Sequence, residues 1–332
     1  SGIALADTLN CSWNYNWNND QNSTLDQEYV PIRQTQWWPG LPNDKKNVTA
    51  LLGFNEPNSA SQANMTPDQA VAAWPQLMES GLRLGSPAVT DGGANWLYSF
   101  IDKCDSAGYR VDFIAIHFYR GCQSAAQFYN FLKAIYDRTH RPIWITEFNN
   151  GANWTTTTGC PQPSYDQQAT KIGQFLNMLD TTSFVERYSI YEWVQPYRQM
   201  FNSTTPVVLN PAGVVYRDQA SPMAFKPATY AASTMAYISS NAVQGITITP
   251  ATFPAAVKAP VLRLELVTTG TISPFAALQF LLNTNGTTNP ADIINAKIYY
   301  TGNSPVFRTG VLFGTVNNPS GLFTISGAQT LL

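Results

Sequence analysis

The sequence predicts an α/β chain: a (β/α)8 barrel whose first strand is short or missing, followed by a small antiparallel β-sandwich. Three observations carry that prediction. Seven short apolar or β-branched runs recur with helix-like stretches between them, as repeated strand-and-helix units require. Carboxylates and aromatic residues stand at the ends of those runs, where a barrel of this kind gathers its chemistry. Beyond about residue 232 the pattern changes to period two, the mark of strands with one covered face.

In chain order the runs are CSWNYNW (Cys11 to Trp17), EYVPIRQTQ from Glu28, ALLGFNE from Ala50, RLGSPAV from Arg83, DFIAIHFY from Asp112, PIWITEF from Pro142 and RYSIYEW from Arg187. Between the third and fourth, Thr66 is a cap candidate, Pro67 suits a first helical position and Gly81 a helix end. Ser124 opens a second helix that keeps Phe128, Phe131, Leu132 and Ile135 on one stripe, and Ser164 opens a third. An eighth strand should precede Cys11. Either GIALA supplies it, or it lies outside this chain. The barrel is assigned to residues 1–232 and the accessory domain to 241–332, with TYAASTMAYISSNAVQG as the link. In the second domain VLRLELV, NAKIYYTG, RTGVLFGTV and GLFTISG read as strands between Gly, Pro and Asn turns. GAQTLL is a last strand candidate that runs into the C-terminus, so the module reads as incomplete.

Composition narrows the function. The 332 residues are 44% hydrophobic and only 12% charged, with a net charge of −2, so no strong field recruits nucleic acid or an anionic membrane. No apolar run reaches the ~18 residues of a membrane span, and the N-terminus lacks a leader pattern. The chain is therefore expected to be soluble, with any leader removed, and to act as a monomer. Aromatic residues reach 13%, nine of them Trp, many beside Asn, Gln and Ser in loops such as TQWWPGLPND. Such a surface suits a neutral sugar. Four Cys without paired spacing and two His are too few for a zinc site, so neither metal nor cofactor is expected. Cys122 and Cys160 each follow a strand within a loop; whether they bridge is left open, and a bridge would imply export.

Glu56 and Glu147 end two runs three units apart, which a barrel brings to opposite sides of one cleft. Glycoside hydrolysis needs such a pair, one carboxyl to protonate the leaving oxygen and one to attack the anomeric carbon or activate water. A lone strand-terminal Glu is usually a solvated loop residue; the two together, with Asn55 beside one and Phe148 beside the other, favour chemistry. His117 and Tyr119 share strand parity and can both face Glu147, His117 having a core role as its plain alternative. A Tyr119 phenol bonded to Glu147 would hold the carboxylate ionised. Trp13, Trp17 and Trp144 suit the core. Trp37, Trp38, Trp154 and Trp193 lie at rim positions where flat rings can pack on pyranose faces. Glu192 precedes Trp193, and alternation turns it away from the side Trp193 faces.

The segments LLGFNEPN, LRLGSPA, DFIAIHFY, PIWITEFN and VERY, in this order and spacing, resemble glycoside hydrolase family 128, a group of secreted glucanases. The resemblance covers roughly residues 1–225, to NPAGVVYRDQASPMAF, and SWNYNW looks like the second strand of that family. It implies a retaining barrel glycosidase with Glu56 as general acid/base, Glu147 as nucleophile, Asn55 at the 2-hydroxyl of the reacting sugar and β-1,3-glucan as substrate, outside the cell. The sequence departs at VPIRQTQWWPGL, so Arg33, Gln36 and Trp37 are expected to reshape the cleft. A β-1,4 or mixed-linkage glucanase, and a glucan-binding protein with weak or no turnover, are the alternatives. The C-terminal module resembles β-sandwich linker domains of secreted bacterial surface proteins and reads as a spacer, a carbohydrate-binding module or a stabiliser.

Overall fold

The computed structural model describes residues 2–24, 27–42, 48–78, 80, 82–155, 160–219, 221, 234–244, 260–269, 273–302, 307 and 309–331. The helix stop expected at Gly81 and the domain boundary at 232 lie outside them. A first helix, α1 (Gly2–Thr8), leads into seven strands: β1 (Trp13–Asn14), β2 (Glu28–Tyr29), β3 (Ala50–Leu51), β4 (Arg83–Leu84), β5 (Ile114–Phe118), β6 (Ile143–Phe148) and β7 (Val185–Ile190). Parallel pairs join β1 to β2, β3 to β4 and β5 to β6 to β7. Parallel bridges Ile32↔Leu52 and Gly85↔Phe113 link these groups into one consecutive series. Its two ends meet through side chains: Trp13 of β1 donates its indole N–H to the Tyr188 carbonyl of β7 at 3.2 Å, and Arg187 of β7 pairs with Glu28 of β2 at 2.7 Å.

The reading of GIALA as a short first strand is corrected, because that stretch is helical in α1. Its Ala-rich composition favours helix over strand, and the spacing from Leu5 to buried Leu9 places both against the core.

Helices α2 (Pro67–Met78), α3 (Ala94–Ser106), α4 (Ala125–Thr139) and α5 (Tyr165–Thr181) follow successive strands from the third onward, except that β7 follows α5. Three of them begin where cap chemistry predicts. The hydroxyls of Thr66, Ser124 and Ser164 accept the N–H groups of Gln69, Gln127 and Gln167, whose side chains accept in return. Phe128, Leu132 and Ile135 are buried, with Phe131 at the margin. Two apolar layers result. Trp13, Val30, Ile32, Ala50, Leu52, Phe113 and Trp144 pack on the inner face of the strands, while a larger cluster lies between strands and helices. Gly85 makes room for the inner layer, since a Cβ there would stand 2.5 Å from the Phe113 ring, which stacks on Trp144 at 3.9 Å.

After β7 come a short hairpin, β8 (Phe201–Thr204) and β9 (Val207–Leu209), and α6 (Pro211–Asp218), which Asn210 caps. The C-terminal part consists of β10 (Ala236–Gln244), β11 (Leu262–Thr269), β12 (Ala276–Asn283), β13 (Asn295–Tyr300), β14 (Val311–Asn317) and β15 (Leu322–Thr330). They pair antiparallel as β10 with β11, β12 with β15 and β13 with β14. The stretch expected to be a link thus contains a strand, and GAQT continues β15 rather than forming a strand of its own. Gly310, just before β14, lies against Met78 and Tyr109, and Val311 packs on the larger core. Met78 ends α2 and Tyr109 follows α3, so this contact is made at the N-terminal ends of the strands.

Candidate active site

Glu56 lies beyond β3 and Glu147 is the penultimate residue of β6, both at the C-terminal end of the sheet. The Glu56 backbone is in the left-handed region, φ 41°, where a non-glycine residue costs about 1–3 kcal/mol. The fold holds it there: its N–H donates to the Ala88 carbonyl at 2.7 Å and its carbonyl accepts Ser59 N–H at 2.9 Å. Strained backbone at a carboxylate with no packing role is a mark of a functional site.

Glu147 is buried, and donors converge on it. Tyr15 Oη and Trp17 Nε1 reach Oε1 at 2.9 and 2.7 Å, and Tyr119 Oη reaches Oε2 at 2.5 Å. An ionised carboxylate, which only accepts, matches that surrounding. Burial first, then the Glu147 charge, push the Tyr15 and Tyr119 phenols far above their ordinary values, so both remain donors. His117 sits between the carboxylates, with Nδ1 2.8 Å from Glu56 Oε1 and 3.4 Å from Glu147 Oε2. Burial pulls its pKa down, but the Glu147 charge, the Glu56 hydrogen bond and the Glu56 and Asp91 charges outweigh burial, and the net shift is upward. In its charged form the imidazole offsets repulsion between two acids at close range, which is the physical cause of the upward shift. Asp91 supports the arrangement from the β4–α3 loop by accepting the Tyr119 N–H at 2.9 Å, and its own pKa is raised, chiefly by burial.

One oxygen from each of Glu56 and Glu147 and one His117 nitrogen lie within 4.8 Å of one another. Among the described residues this is the trio with metal-ligand spacing, yet the Nδ1 that faces both carboxylates is already placed to share a proton with them. Asn55 Oδ1 and His117 Nε2 are buried polar atoms left unpaired within the protein, and each such group carries a cost of about 1–3 kcal/mol until a partner arrives.

The remaining expected residues divide. Trp193, 69% exposed, stacks on Trp17 with centroids 5.2 Å apart, and Trp154, 57% exposed, meets Tyr119 and Tyr191 edge-on. Both belong to the aromatic wall beside Glu147. Trp37 and Trp38 are exposed on the loop after Ile32, their N–H groups donating to the Thr35 hydroxyl. Arg33 is buried beneath that loop, its guanidinium donating to the Pro39 and Gln36 carbonyls, and Gln36 enters the network through that carbonyl. Arg33 therefore shapes the loop from inside rather than offering its charge to the cleft.

A family profile described as "Glycosyl hydrolase catalytic core" matches residues 3–216. The fold is also similar to a subgroup I endo-β-1,3-glucanase of glycoside hydrolase family 128 from Amycolatopsis mediterranei, solved with laminaritriose. Identity is 34%, coverage is 65% of this chain and 94% of that one, and the TM-score is 0.56. The chain belongs to glycoside hydrolase family 128. A curdlan-specific exo-β-1,3-glucanase of this family, from Blastomyces gilchristii, is 28% identical over 65% of this chain and 94% of that one, with a TM-score of 0.53. Alkali-sensitive linkage protein 1 of Schizosaccharomyces pombe is 31% identical over 199 residues, and the match spans 57% of this chain but 35% of that relative.

Four residues of this family 128 site escaped the sequence reading: Tyr15, Trp17, Asp91 and Tyr191. Trp13, Tyr15 and Trp17 share the parity of one strand, so a buried Trp13 signals that the other two face inward as well. Tyr191 has the same link to Trp193. Asp91 carries no local signal, because only the tertiary fold brings it to Tyr119.

Proposed function

We propose that the chain is a secreted, retaining endo-β-1,3-glucanase on a (β/α)8-type barrel, with a β-sandwich accessory domain. The observation that carries this reading is that one oxygen of Glu56 and one of Glu147 approach within 4.8 Å, which brings the two carboxyl groups toward the shorter of the two separations glycosidases use. Retaining glycosidases hold theirs about 5–5.5 Å apart, whereas inverting ones need about 6.5–9.5 Å to seat a water between. Glu147, fixed by three donors, attacks the anomeric carbon and forms a glycosyl ester as the bond to the leaving sugar breaks and Glu56 protonates its oxygen. Water then attacks the same carbon, Glu56 takes its proton and Glu147 departs, leaving the β configuration. Asn55, with an unpaired amide oxygen, is the ligand for a sugar hydroxyl at the reacting unit.

The substrate class rests on the family 128 relatives, which include both endo- and exo-β-1,3-glucanases. The higher identity to the endo-acting one, 34% against 28%, supports internal cleavage. The Cys122–Cys160 disulfide supports an oxidising destination, because thiols stay reduced in most cytosols. The two antiparallel pairs β12–β15 and β13–β14 support a sandwich, with Phe280 of one edge-on to Phe313 of the other.

The test is hydrolysis of laminarin by the wild type, Glu147→Gln and Glu56→Gln. Each variant should bind laminari-oligosaccharides while losing about 10³-fold or more of kcat. Wild-type inactivity on β-1,3-glucan with cleavage of a β-1,4 or mixed-linkage chain would refute the substrate, and full activity of either variant would refute the roles.

A further inference from the structure

Trp193 reaches the cleft from a loop, and the loop's own fastening is the informative part. On its first limb, Tyr191 continues β7 by donating its N–H to the Phe148 carbonyl at 2.9 Å, while its carbonyl accepts from Asn149 Nδ2. On its second limb, buried Arg198 donates to the Asn150 carbonyl at 2.7 Å, and the Arg198 carbonyl accepts from Asn149 and Gln168. Both limbs are thus tied to the loop that follows Glu147. The residues between, 192–197, carry Trp193 and need their own tie.

Glu192 supplies it. Its side chain turns inward as that of Trp193 turns outward, and its Oε2 accepts the Met200 N–H at 2.8 Å, crossing the neck of the loop. Its carbonyl accepts Val194 N–H at 2.9 Å, which folds the chain tightly around Trp193. Gln199 adds a second cross-tie, donating to the Val194 carbonyl at 3.2 Å. The backbone direction at 193 is thereby fixed, and with it the stack of Trp193 on Trp17, the residue that also donates to Glu147.

We infer that Glu192 is a positioning residue for substrate binding: by clamping Met200 it holds Trp193 flat on Trp17 as a rigid platform for the glucan chain. The platform's contact with sugar rests on the glucanase reading above; the clamp does not. Preorganising an exposed ring spares the ordering cost that a free side chain meets on binding. What the clamp needs is an acceptor rather than a charge. Burial raises the Glu192 pKa to about 7, so at mildly acidic pH the group is a neutral acid. A Gln amide oxygen can take the same N–H.

The test combines kinetics and spectroscopy on the full chain. Glu192→Ala should raise KM for laminari-oligosaccharides about tenfold, or ~1.4 kcal/mol of ring packing, with kcat within about twofold of wild type. Glu192→Gln should restore wild-type KM. In a double-mutant cycle, adding Glu192→Ala to Trp193→Ala should cost nothing further. Without any substrate, Glu192→Ala should lose the same part of the Trp circular-dichroism couplet that Trp193→Phe removes, and Glu192→Gln should keep it. If the alanine variant does not fold, Glu192→Asp, one methylene too short for Met200, replaces it. An unchanged KM and couplet, additive effects with Trp193→Ala, or failure of Gln to rescue would overturn the inference. Inactivity of the wild type on β-1,3-glucan would instead overturn the substrate reading and leave the couplet test standing.

Discussion

Trp17 donates its indole N–H to Glu147 Oε1 at 2.7 Å, from the loop that ends β1 to a carboxylate on β6. The backbone at Trp17 is itself in the left-handed region, φ 57°, so local preference is overridden to make this contact. A hydrogen bond to a charged group is worth about 1.5–3 kcal/mol. Trp17→Phe keeps most of the ring and removes the donor. Steady-state kinetics should show kcat/KM on laminarin falling roughly 10- to 100-fold, and thermal unfolding a melting temperature lower by about 3–10 °C for the lost hydrogen bond.

Stability should fall as pH rises. His117, Asp91 and Glu192 all have raised values in the folded state, each with burial as the largest influence, opposed and outweighed in His117 by its acidic neighbours. A raised group contributes stability that is complete below its unfolded value and is lost as pH climbs through its folded one. For Glu192 that window runs from 4.5 to about 7 and is worth on the order of 3 kcal/mol. Thermal unfolding between about pH 5 and pH 8 should show a declining Tm, and Glu192→Gln should flatten the decline.

The Cys122–Cys160 disulfide joins the loop after Tyr119 to the loop after Trp154, across a separation of 38 residues. The double variant Cys122→Ser, Cys160→Ser should lose about 2–4 kcal/mol in urea unfolding. Reductant should lower the wild type toward the same midpoint and leave the double variant unmoved.

Gly310 meets Met78 and Tyr109 at the end of the sheet away from the carboxylates. Gly310→Val should therefore destabilise by about 1–3 kcal/mol through overpacking while KM for laminarin stays unchanged. A raised KM would place the C-terminal part at the cleft instead.

The seven strands and three of the helices were legible because each has a self-contained signal: an apolar run, or a Ser or Thr three residues ahead of a Gln. Helix α3 lacks one, since Gly93 precedes it and makes no side-chain cap bond. Strand β10 was hidden by its Ser and Asn residues, which read as linker. Glu56, Glu147, His117 and Tyr119 could be found because strand parity and strand ends are properties of sequence. Asp91 could not, being a loop residue that gains its meaning from Tyr119, 28 positions on. Arg33 was expected to reshape the cleft because the segment around it departs from the family pattern, but its guanidinium turns to the Pro39 and Gln36 carbonyls of the loop above it.

The two-carboxylate retaining mechanism is tested most directly by proton NMR of the sugar anomer released first from a laminari-oligosaccharide by the wild-type protein. Carboxylate oxygens within 4.8 Å predict the β anomer at early times, with the α anomer growing in only through mutarotation. An initial burst of α anomer would mean inversion, and would contradict the assignment of Glu147 as nucleophile.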